Sequence, residues 1–431
     1  MAVGTIESLD YEARGIARLD GKAIFVDGAL PGEKVEYASF RKKSKYELAN
    51  LIRVIKPSTA RVVPKCQHFG VCGGCAMQHM DVSAQVASKQ RVLEDSLWHI
   101  GRVRPEQILS PIHGSPWGYR HRARLGVRFV EETGDVLIGF HERRSSYIAD
   151  IRTCDVLAPQ VSALLMPLRK LLAQLSIARK LPQIEVAVGE RCTAFSLRIL
   201  DPLSKNDESL LKTFADRHSV VFYLQPKGPD TVFRFYPQGG ASLSYLLPEF
   251  DLTFEFKPTD FTQVNHAVNR VMVHRALRLL DPKSGERIAD MFCGLGNFTL
   301  PIARSGAKVL GVEGSGALVQ RGRSGALANG LGDRVKYAVA NLFACSEASL
   351  AALGRFDKML IDPPREGAVE LVKALAGDLP RRIVYVSCNP ATLARDSAVL
   401  VSEKGYRFVS AGAINMFPHT AHVESIAVFE Q

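Results

Sequence analysis

The sequence has no apolar run able to cross a bilayer. Its most hydrophobic helical stretch, APQVSALLMPLRKLLAQL from Ala158, is interrupted by Pro167 and charged at Arg169 and Lys170, which argues for an amphipathic surface helix rather than a membrane span. The opening MAVGTIESLDYEARG lacks the apolar core of a secretory signal and carries acids early, so a cytoplasmic protein is expected. Internal repeats and low-complexity segments are also missing, which excludes a solenoid and a disordered linker protein. Acid is in short supply: 55 Lys and Arg face 44 Asp and Glu, a formal charge of +11. An excess of this kind favours polyanions such as nucleic acid, although ordinary solubility charge explains part of it.

Cysteine is sparse, at eight in 431 residues. A chain this long buries a sufficient core without disulfides, and a cytosolic address disfavours them. Clustered cysteines are therefore candidates for metal binding or catalysis.

Three regions differ in pattern. Residues 1–58 hold short alternating strands such as KAIFVDG and EKVEYASF between turn residues, the pattern of a small β-barrel. RKKSK, at 41–45, is either a phosphate-facing hairpin or a solvated edge. Residues 59–255 read as a mixed α+β domain. In GYRHRARLGVR, Arg120, Arg122, Arg124 and Arg128 share one face of a strand, an acid-free surface suited to phosphate contact. Residues 256–431 alternate helix with Val- and Ile-rich strands, predicting a mostly parallel sheet that binds ligand at its carboxyl edge.

Four motifs carry chemistry. KCQHFGVCGGC supplies Cys66, Cys72 and Cys75, and Cys154 is available as a fourth thiolate. Spacing leaves zinc and an iron–sulfur cluster both open, with His68 and His79 as rival ligands. DMFCGLGNFTL turns from a strand through Gly294 and Gly296 into a helix, and Glu313 ends the following strand. The acid is suited to ribose hydroxyls, and the incomplete glycine motif favours S-adenosylmethionine over a dinucleotide. LIDPPREG presents Asp362 on a loop stiffened by two prolines. VSCNP puts Cys388 directly behind a strand, where a thiol is either core filler or a nucleophile. A pyrimidine C5 is too weak a nucleophile to attack a methyl sulfonium unless a thiolate first adds at C6. A base must then remove the C5 proton, and Glu424 in HVES is the candidate.

FTQVN, DMFCGLGNF, DPPREG, VSCNP and HVES occur in this order, and the chain resembles the RNA uracil-5-methyltransferase family along nearly its whole length. The resemblance implies an α/β fold with a Rossmann-like S-adenosylmethionine methyltransferase domain over 256–431. It also implies an OB-like TRAM barrel over 1–58 and a central α+β iron–sulfur domain over 59–255. The implied nucleophile is Cys388 and the base Glu424. The cofactor contacts fall on Gln263, Phe292, Asn297, Glu313, Asn341 and Asp362. Cys66, Cys72, Cys75 and Cys154 resemble the [4Fe-4S] ligands of bacterial members acting on 23S ribosomal RNA, so that RNA is the expected partner of a monomeric enzyme. Three rivals are a transfer RNA uracil-5 enzyme, a cytosine-5 enzyme and a non-catalytic iron–sulfur RNA-binding protein. The first lacks the N-terminal segments, the second carries a second cysteine where this chain has Arg365, and the third would have lost nucleophile, base or glycine turn.

Overall fold

A computed structural model describes residues 1–431. At the N-terminus a six-stranded sheet, spanning Ala2–Thr5 to Tyr46–Lys56, wraps a small core of Ile6, Ile24, Val26, Val35 and Tyr37. Alternation of buried and exposed residues sets its faces. Arg41 to Lys45 form an exposed hairpin tip between two of its strands.

A second six-stranded sheet, from Arg122–Val130 to Phe233–Tyr236, packs against the helices Pro159–Ala173 and Lys205–His218 around Leu125, Leu165, Phe195 and Phe222. The arginine strand alternates as expected, with Ala123, Leu125 and Val127 buried. Its other face is not acid-free. Glu185 lies opposite Arg124 on the neighbouring strand, and the two pair at 2.8 Å. Single-strand patterning reveals which residues share a face but not what the adjacent strand brings to it. The helix Pro159–Ala173 buries seven of its fifteen residues, and Arg169 among them pairs with Asp135 at 2.6 Å and with Asp150.

The C-terminal sheet has eight strands. Val335–Val339, Lys308–Glu313, Arg287–Met291, Lys358–Ile361 and Arg382–Ser387 run parallel, in that spatial order. Glu424–Glu430 joins next, antiparallel to Arg382–Ser387 and to Arg407–Ile414 on its other side. The short strand Gln107–Ile108 closes the edge, parallel to Arg407–Ile414. No helix is long and apolar enough to cross a membrane.

The expected boundary at 256 is not where the packing divides. Leu93 and Leu97, on or just after the helix Val82–Ser96, share a core with Met291, Ile361, Tyr385 and Phe429. The hairpin strands Ser244–Leu247 and Leu252–Glu255 bury Tyr245, Leu247 and Phe254 with Met272 and Ile288. An amphipathic pattern announces a buried face without naming its partner.

Candidate active site at the carboxyl edge of the sheet

The parallel strands end at Met291, Glu313, Val339, Ile361 and Ser387. Phe292, Glu313, Asn341, Asp362 and Cys388 stand at those ends or one or two residues beyond. They share one cavity of about 290 Å³ with Gln263, Asn297 and Glu424. All eight expected cofactor and catalytic residues therefore come together. Glu424 reaches this edge because its strand is antiparallel, so its first residue lies where the parallel strands finish.

Local geometry explains the motif residues. Gly294 and Gly296 have φ of +56° and +95°, values open to glycine. A Cβ on Gly296 would stand 2.5 Å from the Tyr337 hydroxyl. Phe292 takes a left-handed φ of +63° without that freedom, a strained backbone held at the cavity wall. The Glu313 carboxylate accepts from the backbone N–H groups of Gly294 at 3.1 Å and Ser315 at 3.0 Å, which ties the glycine turn to the acid. Asn297 and Asn269 exchange amide hydrogen bonds at 3.0 Å, and the Tyr245 hydroxyl donates to Asn297 Oδ1 at 3.0 Å.

Cys388 also lines a second cavity, of about 650 Å³, with Tyr11 and Glu12 of the barrel, Gly73 and Gly74 of the cysteine loop, and Arg120, Arg365 and His422. It is the only residue common to both. Asn389 caps the helix Pro390–Ser402, accepting from the Ala391 N–H at 3.0 Å. Its side-chain amide donates to the Arg365 carbonyl at 3.1 Å, and Thr392 Oγ1 donates to the same carbonyl at 3.3 Å. The proline loop and the cysteine turn are thus one unit.

The electrostatics are those of crowded, buried acids. Burial pushes Cys388 up to about 11, reinforced by Glu424 and Asp362 and opposed by Arg365. Burial pushes Glu424 up to about 8, and Lys89 pulls against that rise. Asp362 is raised well above the usual carboxylate range by burial, with Glu424 and then Asp290 adding to it. Behind the wall, fully buried Asp290 accepts from Thr299 Oγ1 at 2.5 Å, and burial raises it to about 7. Sequence reading missed Lys89, Asn269, Tyr245 and Asp290. Only Asp290, inside the glycine motif, carried a visible signal.

Cys66, Cys72, Cys75 and Cys154 line a single small hollow, with His68 at its wall. His79 stands apart from it, packed at a tilt against Phe69 with ring centroids 5.4 Å apart. Burial pushes Cys75 up to about 12 and Cys154 up to about 11. No three His, Cys, Asp or Glu side chains lie at the spacing of ligands to one metal ion.

Fold and cavity together define a methyltransferase domain of the S-adenosylmethionine-dependent type, joined to an N-terminal barrel. Residues 246–431 match the tRNA (Uracil-5-)-methyltransferase family and residues 5–36 the TRAM domain. The chain is 77% identical over 430 residues to the 23S rRNA (uracil(1939)-C(5))-methyltransferase RlmD of Dechloromonas aromatica, covering 100% of both chains. It is 60% identical to the RlmD of Nitrosospira multiformis, covering 99% of this chain and 98% of that one. The chain belongs to the RNA uracil-5-methyltransferase family. In fold it is similar to the Pyrococcus abyssi tRNA (uracil-54, C5)-methyltransferase bound to S-adenosyl-L-homocysteine, with a TM-score of 0.76, 24% identity and 99% of each chain covered.

Proposed function

We propose that the protein transfers a methyl group from S-adenosylmethionine to C5 of uracil 1939 in 23S ribosomal RNA, the reaction in the names of its relatives. The observation that carries this reading is Cys388 lining both cavities, with Glu424 beside it. The methyl donor occupies the first cavity and the target base enters from the second. Cys388 thiolate adds to C6 of the uracil, and the resulting enolate attacks the sulfonium methyl from C5, releasing S-adenosylhomocysteine. Glu424 takes the C5 proton, the C6–S bond breaks, and the thiolate is freed. Gln263, Phe292, Asn297, Glu313, Asn341 and Asp362 hold the donor, a role supported by their common cavity. All of these groups come from one chain, so the site is complete without a second copy. Mapping 23S ribosomal RNA from cells lacking the protein tests the function. Uracil 1939 should lose its methyl group and regain it with the wild-type chain, and an unchanged nucleotide refutes the assignment.

The barrel at 1–58 and the region at 59–255 present RNA-facing surface, supported by the exposed cations Arg41, Lys42, Lys43 and Lys45 and by Tyr11 and Arg120 at the second cavity. Cys66, Cys72, Cys75 and Cys154 hold a [4Fe-4S] cluster, a reading supported by their shared hollow. When bound, the cluster would cross-link the 66–75 loop to the segment around Cys154.

A further inference from the structure

Residues 257–263 form no helix or strand, and the last three, Phe261, Thr262 and Gln263, line the methyl-donor cavity. Little apolar burial holds them there, since Phe261, their largest apolar side chain, is 73% exposed. The two ends of the segment are fixed from elsewhere. The Arg122 guanidinium donates to the Pro258 carbonyl, and the His121 N–H donates to the Val264 carbonyl at 2.8 Å. The middle is held through Asp260, whose side chain is 4% exposed. Its Oδ2 accepts from the Lys257 N–H at 2.8 Å and so shapes the turn of its own segment. Its Oδ1 accepts from the Arg321 guanidinium at 2.5 Å.

Arg321 lies on the helix Gly316–Ala328, which belongs to another wall of the same cavity. That helix starts at Ser315, whose N–H donates to Glu313, and places Leu318 in the cavity lining one turn before Arg321. Asp260 and Arg321 do not line the cavity themselves. Their ion pair therefore joins, from behind, two segments that face the donor. A carboxylate this buried requires a cation, but a pair serving stability alone would set both oxygens on the guanidinium fork. Here the second oxygen is committed to the 257–260 turn, and the buried Arg321 Nε finds no partner. We infer that the Asp260–Arg321 pair is a tie that positions Phe261, Thr262 and Gln263 against the methyl donor. This rests on the reading of the first cavity as the donor site.

The test uses the full chain, calorimetric titration with S-adenosylhomocysteine, and methyl transfer to a 23S fragment containing the target at varied S-adenosylmethionine. Arg321→Met keeps the aliphatic stem and removes the charge, and Asp260→Asn keeps an oxygen for the Lys257 N–H. Each should weaken S-adenosylhomocysteine binding about tenfold and raise KM for S-adenosylmethionine by a similar factor, with kcat within about twofold of wild type. The double variant should bind as weakly as either single one, because each breaks the same pair, and Arg321→Lys should recover most of the affinity. Amide hydrogen exchange should quicken in residues 257–264 and not in the parallel strands. Wild-type affinity in either single variant overturns the inference, as do losses that add in the double variant. Failure to fold, or faster exchange throughout, in Asp260→Asn also overturns it, because the pair then serves the fold as a whole. Glu313→Ala separates the two ideas. If it binds S-adenosylhomocysteine like the wild type the donor-site reading fails, and if it loses binding while Arg321→Met and Asp260→Asn keep it only the tie fails.

Discussion

Cys388 and Glu424 stand one step beyond Ser387 and Ser425, the last paired residues of two neighbouring antiparallel strands. Sheet register therefore sets the ends of the two strands opposite each other, and the turn tied to the Arg365 carbonyl completes the placement of Cys388.

Cys388→Ala is accordingly expected to abolish methyl transfer while RNA binding persists. Incorporation of labelled methyl into the RNA, measured beside a filter-binding assay, checks this. Continued incorporation would remove Cys388 from the mechanism.

Glu424→Gln should trap the methylated adduct, since the C5 proton then has no acceptor. A protein–RNA band resistant to denaturing gel electrophoresis is the readout. For the wild type, the ionised carboxylate is the active form and burial raises Glu424 to about 8. Adduct resolution should therefore rise with pH through that value and fall off below it.

Much of this site was legible in the sequence because strand-end motifs keep their ligand-facing residues within a few positions of one another. DMFCGLGNF, DPPREG and VSCNP each supplied a cavity residue once the alternation of strand and helix was recognised. Lys89 was not legible. VASKQ shows one lysine among polar residues on a helix that its position assigned to the central region. Only tertiary packing, against the end of Arg407–Ile414, brings it to Asn415 and the Phe417 carbonyl. Glu185 opposite Arg124 escaped notice for the same reason, since cross-strand partners are set by topology.

At Gly296 an added methyl meets the Tyr337 hydroxyl at 2.5 Å on a backbone with φ of +95°. Gly296→Ala should cost about 1–3 kcal/mol of stability and weaken S-adenosylmethionine binding, because the turn and Glu313 are joined through the Gly294 N–H. Thermal unfolding and calorimetric titration with the cofactor measure the two effects. An unchanged cofactor affinity would separate the turn from the binding site.

For the thiol hollow, anaerobically purified protein is expected to absorb in the visible and to contain iron. Cys75→Ser should lower the iron content and the unfolding temperature together, since a cross-link between the 66–75 loop and Cys154 is weakened. Stoichiometric zinc without iron would refute the cluster.

Arg365 is the cation that opposes the upward push of burial, Glu424 and Asp362 on the Cys388 thiol. Its carbonyl, not its side chain, anchors Asn389 and Thr392, so Arg365→Ala removes the charge and leaves the turn intact. Without the guanidinium the thiol pKa rises further, and each unit of rise cuts the thiolate fraction at neutral pH by about tenfold. Alkylation of Cys388 by iodoacetamide, followed against pH, should shift to more alkaline values in Arg365→Ala while cofactor binding is retained. An unshifted alkylation profile would remove Arg365 from the activation of the thiol.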